Sequence, residues 1–339
     1  MIDKVDIIIN ESIKNLLTEE FGIIYGLEPL CQYILEKFFA IMFHECLNGS
    51  YYDEIEIEQP IYMEDIKKNV SCKNWYGIDN LEKIILKTVI NSDNEASVDF
   101  SEDDPSTPII VINIGYGFTK QVLCKRLSSL GKEKVFNLFR SKYEPYIMHE
   151  LTHLIEVVKT GEKYKYPAYA YMGDTDYEDQ ETMSLIRKAS FAFSKTEINA
   201  RVSTIYYQIL NDGNLKYQVK SWNGNRSGLC KRLIALTSGY NWVNDMRKYI
   251  FIVRRAAEKG EKPDVDFVKN FIKLNKFAAF SGSKNLFKLK WNSNDTGEVE
   301  DISKLVWPLY DKMCKMYYSY IKKLYNAANL AIEELKTRN

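Results

Sequence analysis

Residues Glu144–Val158 read EPYIMHELTHLIEVV, and two of the chain's three histidines, His149 and His153, sit four residues apart within it. On a helix, residues i and i+4 share a face, so two imidazoles at this spacing can point at one position. Glu150 follows the first histidine directly, at the edge of that face, where it can reach a water without itself becoming a ligand. Around the motif, Met148, Leu151, Leu154, Ile155 and Val158 form an apolar side, with the histidines along its border. The helical pattern begins near Gly131, is interrupted near Pro145 and resumes through Val158, with Pro145 suited to a first helical turn.

Two histidines do not complete a zinc site, which needs a third protein ligand and one position left for water. The third histidine, His44, lies in His44-Glu45-Cys46-Leu47-Asn48, which begins like the motif but ends in Asn, and it reads as a polar residue near a helix end. The third ligand is therefore expected to be a carboxylate. Within GEKYKYPAYAYMGDTDYEDQ and just after it, Asp174, Asp176, Glu178, Asp179 and Glu181 are available. Further on, SKTEINARVSTIYYQIL reads as a helix with Glu197 in its first turn and Arg201 one turn later on the same face.

Working outward, YYDEIEIEQPIYM alternates and then meets Pro60, the pattern of a short strand. NLEKIILKTVIN fits a helix or a strand. EASVDFSEDDPSTPIIVINIGYG contains two β-rich runs joined by Asp-Asp-Pro-Ser, expected to form a hairpin or an adjacent strand pair. CQYILEKFFAIMFHECL and ESIKNLLTEEF read as helices, as does the stretch from Ile302 to Lys336. In the last, Leu309, Met313, Met316, Tyr320, Leu324, Ala327, Ala331 and Leu335 recur at three- and four-residue steps, a packing stripe expected to be intramolecular core. NGNRSG (223–228) and WNSNDTGEVED (291–301) read as loops. The fold class is α+β, mainly helical: a small β-sheet before the HExxH helix and a helical C-terminal part.

Composition narrows the function classes. With 339 residues, 45% hydrophobic and 27% charged, the chain has ample material for a core. Formal charge sums to zero, but residues 201–339 hold 25 Lys and Arg against 13 Asp and Glu, which leaves 21 against 33 in residues 1–200. An acidic part (1–200) and a basic part (201–339) are thus expected, as two domains or one continuous one. The basic part raises a nucleic-acid alternative, because KYQVKSWNGNRSGLCKRL and MRKYIFIVRRAAEKG interleave cations and aromatic rings. Solvated helix faces account for the same runs. The start, MIDKVDIIIN, lacks the basic opening of a signal peptide, and no apolar run approaches a membrane span. Six scattered cysteines with no CxxC pair suit reduced thiols, so a cytoplasmic setting is expected.

HELTH followed by a second helix with Glu-x-x-Ala resembles the zincin metallopeptidases in their glutamate-ligand branch, the gluzincins. The likeness rests on His149, Glu150, His153, Glu197 and Ala200 and spans about residues 108–210. The TEINAR form is similar to zincin-like proteins encoded by tailed bacteriophages, some of them virion components. The resemblance implies a zincin-like core and one Zn2+ per chain held by His149, His153 and Glu197. It also implies Glu150 as general base in the hydrolysis of a peptide or protein substrate. It further implies an edge strand ahead of the motif helix, a place that TPIIVINI (Thr107–Ile114) occupies. Arg201 and Tyr206 are candidates for stabilising the oxyanion, with Tyr207, Tyr169 and Tyr171; Arg201 equally suits orienting the ligand carboxylate. Two features depart from the family: Arg201 stands where several gluzincins carry an acid, and the interval from His153 to Glu197 is long. A non-catalytic zincin-like protein, structural or associated with other virion proteins, is the second reading.

Overall fold

A computed structural model describes residues 24–48, 57–90, 96–100, 107–114, 120–160, 180–280 and 303–337. The loop carrying Tyr169, Tyr171, Asp174, Asp176, Glu178 and Asp179, the helix expected over ESIKNLLTEEF and the stretch 291–301 lie outside these residues. The described structure is mostly helical with one four-stranded mixed sheet, the α+β class expected. Two compact units make it up. One comprises Met1–Lys163, Asn199–Asn225 and Ala327–Asn339, the other Tyr164–Ile198 and Arg226–Asn326.

In the first unit, helix α1 (Glu28–Asn48) precedes strand β1 (Ile57–Tyr62) and the short helix α2 (Met63–Asn69). Strands β2 (Lys83–Ile90), β3 (Ala96–Phe100) and β4 (Pro108–Ile114) follow. The sheet order is β1-β2-β4-β3, with β2 and β4 parallel and both outer pairings antiparallel. The run that fits helix or strand is thus β2, where Ile84, Leu86 and Thr88 alternate inward. They lie beside Ile61 of β1 and Ile110 and Ile112 of β4, and Val98 of β3 pairs in turn with Ile110, giving the sheet one apolar face. The expected strand pair is present as β3 and β4. TPIIVINI, however, is not an edge strand. Its β4 is paired on both sides, and the edge that lies against the motif helix is β3. Strand order is a long-range choice that alternation along one segment does not encode.

Helix α3 (Lys120–Leu130) leads into α4 (Lys132–Thr160), the helix that carries the motif. α4 runs unbroken through Pro145, contrary to the interruption expected there. Proline deprives the carbonyl of residue 141 of its partner, and Ser141 is exposed, so water can serve that oxygen. On both sides of the proline, burial holds the helix in place: Phe139 and Tyr143 before it, Ile147 and Leu151 after it, are all fully buried. Phe39 of α1 packs at a tilt against Phe136 and Phe139, at 5.2 and 5.7 Å between ring centroids.

The far end of α4 is gripped by a turn. Tyr76 and Gly77 have φ of 55° and 90°, and the Tyr76 amide donates to Asn74 Oδ1 at 3.0 Å. A Cβ on Gly77 would lie 2.9 Å from Val158 Cγ1, so only glycine lets this turn approach the helix. Gly77→Ala is therefore expected to lower stability by about 1–3 kcal/mol through backbone strain and the clash. Urea unfolding would check this; an unchanged midpoint would contradict the packing described.

Helix α5 (Gln180–Ala192) belongs to the second unit, and α6 (Lys195–Asn211) enters the first unit from Asn199 onward. α7 (Gly213–Ser221) completes that return. In the second unit, α8 (Arg226–Leu236), α9 (Gly239–Lys259) and α10 (Lys262–Phe280) precede most of α11 (Ser303–Thr337). α9 buries Trp242, Met246, Tyr249 and Val253 at helical spacing and packs on α5, α8 and α10. Phe191 meets Trp242 edge to face at 5.3 Å, and Tyr249 stacks on Phe267. The terminal stripe is core, as expected. Leu309, Met313, Tyr320, Leu324, Ala327, Ala331 and Leu335 are buried, and Met316 is half-buried.

The basic run on α9 is largely matched within the chain. Arg254 pairs with Glu258 at 2.8 Å, Arg255 with Asp264 at 2.6 Å, and Lys259 approaches Glu261 at 4.0 Å. No disulfide joins Cys31, Cys72, Cys124, Cys230 and Cys314. No helix among the described residues is long and apolar enough to cross a membrane.

Candidate metal centre

From Ile147 to Ile155 every residue of α4 is buried. The helix expected to be amphipathic is instead buried all round over this stretch, polar residues included. His149, Glu150, Thr152 and His153 retain only 3–6% of their exposure. Burying that many polar groups is costly unless each is matched. Thr152 is matched locally, its hydroxyl donating to the Met148 carbonyl at 2.8 Å. The other three side chains lie together.

Nε2 of His149 and Nε2 of His153 are 3.0 Å apart, with the rings nearly perpendicular at 78°. Glu150 Oε1 is 4.0 Å from the same His149 nitrogen. Among the described residues, His149, Glu150 and His153 form the group of three whose ligand atoms all lie within 4.8 Å of one another. Two nitrogens bound tetrahedrally to one zinc ion are separated by about 3.4 Å, given the usual Zn–N length. The observed pair needs to open by only a few tenths of an ångström. The donor set thus fits a cation: two imidazole nitrogens lie side by side with a carboxylate near them.

Helix α6 supplies a further contact. His149 Nδ1 is 3.0 Å from Oγ1 of Thr204, and that hydroxyl is 2.9 Å from the Ala200 carbonyl one turn earlier. Thr204 is fully buried. The sequence reading missed it, although it lies seven residues after Glu197, on the face shared by Glu197 and Arg201. Glu197 itself is buried in the first turn of α6 and is not one of the three clustered residues, and Arg201 is half-buried. The side chain of Glu181 lies outside the described residues.

Tyr206 is placed elsewhere. Nine residues after Glu197, it falls on the opposite side of α6. Its hydroxyl donates to Glu334 near the end of α11, and its ring meets Tyr25 edge to face. Burial, reinforced by Tyr25 and Glu334, pushes the Tyr206 hydroxyl far above the usual phenol range, which keeps it a neutral donor. Tyr207 is likewise raised, by burial first and Glu28 next; it donates to the Ile24 carbonyl at 2.6 Å and to Glu28 at 2.8 Å. Tyr206 is thus engaged with Glu334 and Tyr25, and Tyr207 with Ile24 and Glu28. Behind the motif, Glu144 is buried and takes a charge-assisted bond from Arg140 at 3.0 Å. His44 is exposed near the end of α1, away from any such cluster.

Comparison with protein-family models, curated proteins and solved structures returned no match.

Proposed function

We propose that the protein is a zinc-dependent metallopeptidase of the zincin type, resembling the gluzincins and the zincin-like proteins of tailed bacteriophages. The observation that carries this reading is the buried convergence of His149 and His153 through their Nε2 atoms, with Glu150 alongside. His149 and His153 would hold one Zn2+. Glu197, on the face of α6 that also presents Thr204, is the proposed third ligand. Bound there, zinc would supply Lewis acidity toward a peptide carbonyl and toward water. Glu150 takes the proton of the attacking water on its carboxylate and returns it to the leaving amine. Arg201, one turn after Glu197, orients that carboxylate through its guanidinium. The outer edge of β3, which lies against α4, is where an extended substrate segment adds to the sheet.

The test is hydrolysis of unfolded protein substrates by the purified chain, with and without a chelator. Cleavage that a chelator abolishes and zinc restores supports the reading. Zinc binding without cleavage of any substrate class sinks the catalytic part. One observation favours the second reading, a non-catalytic zincin-like protein serving in a particle: the three clustered side chains are nearly closed to solvent. In that case Glu150→Gln changes no activity, and zinc contributes only to stability.

A further inference from the structure

We infer that the face shared by α9 and the first half of α11, within the second unit, binds single-stranded nucleic acid, stacking bases on exposed aromatic rings and meeting phosphates with the arginines between them. The two helices run antiparallel and are linked by side chains. Arg247 donates through Nε to the Tyr317 hydroxyl and lies 5.6 Å from the centroid of that ring. Two turns later on α9, Arg254 is within electrostatic reach of Tyr310, two turns before Tyr317 on α11. Between the arginines Phe251 is 56% exposed, and on α11 Trp307 and Tyr318 are 47% and 68% exposed. Trp307 meets Tyr310 edge to face at 5.7 Å, and Tyr318 meets Tyr317 at 5.5 Å. The rings from Trp307 to Tyr318 are spread over about 16 Å of α11. Of the interleaved run on α9, Tyr249 is buried against Phe267 and only Phe251 is presented to solvent. The remaining rings come from α11, which no pattern within that run encodes.

Large rings grouped in water mark a surface that a partner covers, and the charges decide which partner. Arg247, Lys248, Arg254, Lys315 and Lys322 are exposed on these faces, against Glu258 and Asp311. A second copy of the chain would therefore set like charge against like. Arg255 is not counted, because buried Asp264 holds it. Arg254 and Glu258 are exposed at both ends of their pair, and a pair in water is weak enough for the guanidinium to turn to a phosphate. An acidic protein segment matches the cations alone. An unpaired strand offers both phosphates and flat base faces, whereas a duplex hides those faces in its own stack.

This inference does not depend on the zinc reading, so the test uses the full chain and reads binding alone. Fluorescence anisotropy of labelled oligothymidylate and oligouridylate is expected to show binding that salt weakens. The logarithm of the affinity should fall by about 0.7 per neutralised phosphate for each tenfold rise in salt. Trp307→Ala and Phe251→Ala are each expected to weaken binding about 5- to 100-fold, and Arg254→Gln to lower the salt slope by about 0.7. All three positions are exposed, so the circular dichroism of each variant should match wild type. A strand lacking bases, and a duplex of the same length, are expected to bind more weakly; the tighter of the two labelled strands identifies DNA or RNA as the ligand. No binding at low salt overturns the inference, as does binding that both ring variants leave unchanged. Equal affinity for the base-free strand or for polyglutamate overturns it too, and makes the face a general surface for anions or acidic proteins.

Discussion

Glu150→Gln is expected to lower peptide hydrolysis by about 10²–10⁴-fold, the usual contribution of a positioned general base, while leaving zinc content unchanged. The two side chains have nearly the same volume, so the enclosed site is not emptied. What is lost is an oxygen able to receive a proton, 4.0 Å from His149 Nε2. Glutamine also has no negative charge, which removes the only carboxylate in the cluster of three. Assaying activity and metal content on the same preparation separates loss of the base from loss of the site. A variant as active as wild type would remove Glu150 from the mechanism.

His153→Ala is expected to abolish stoichiometric zinc binding and, with it, the stabilisation that zinc gives. A ligand that binds only the folded chain at 100 times its Kd adds about 2.7 kcal/mol. Wild-type thermal midpoints should therefore rise on adding zinc, and those of His153→Ala should not. The metal-free variant also tests packing, because His153 is almost wholly buried and its ring contacts His149. Glu197→Ala beside it decides the third ligand. Zinc lost in both variants places Glu197 in the set. Zinc kept in Glu197→Ala and lost in His153→Ala moves the third ligand to Asp174, Asp176, Glu178, Asp179 or Glu181.

Parts of this organisation were legible in the sequence because they are local. The i, i+4 histidines, the β3–β4 pair, the helix around Glu197 and the stripe on α11 all follow from periodicity within one segment. What was not legible depends on distant partners. Nothing in TPIIVINI shows that Ala96–Phe100 will cover its outer side, so β4 reads as an edge when it is interior. Pro145 reads as a break because the sequence carries the lost hydrogen bond but not the buried residues on either side that hold α4 straight. The apolar stripe on α4 suggests one buried face, whereas α4 is enclosed on all sides from Ile147 to Ile155. Thr204 was missed because a single threonine in a helix has no motif of its own. Its register with Glu197 was nonetheless readable, and the same register turns Tyr206 away from that face.

The central claim is that α4 holds a zinc ion through His149 and His153. Elemental analysis of the purified wild-type chain tests it most directly. The account predicts about one zinc per chain, retained through buffer exchange or restored by reconstitution, in keeping with a site of this kind. No zinc under either condition would contradict it and leave HELTH as a buried polar cluster with no metal to hold.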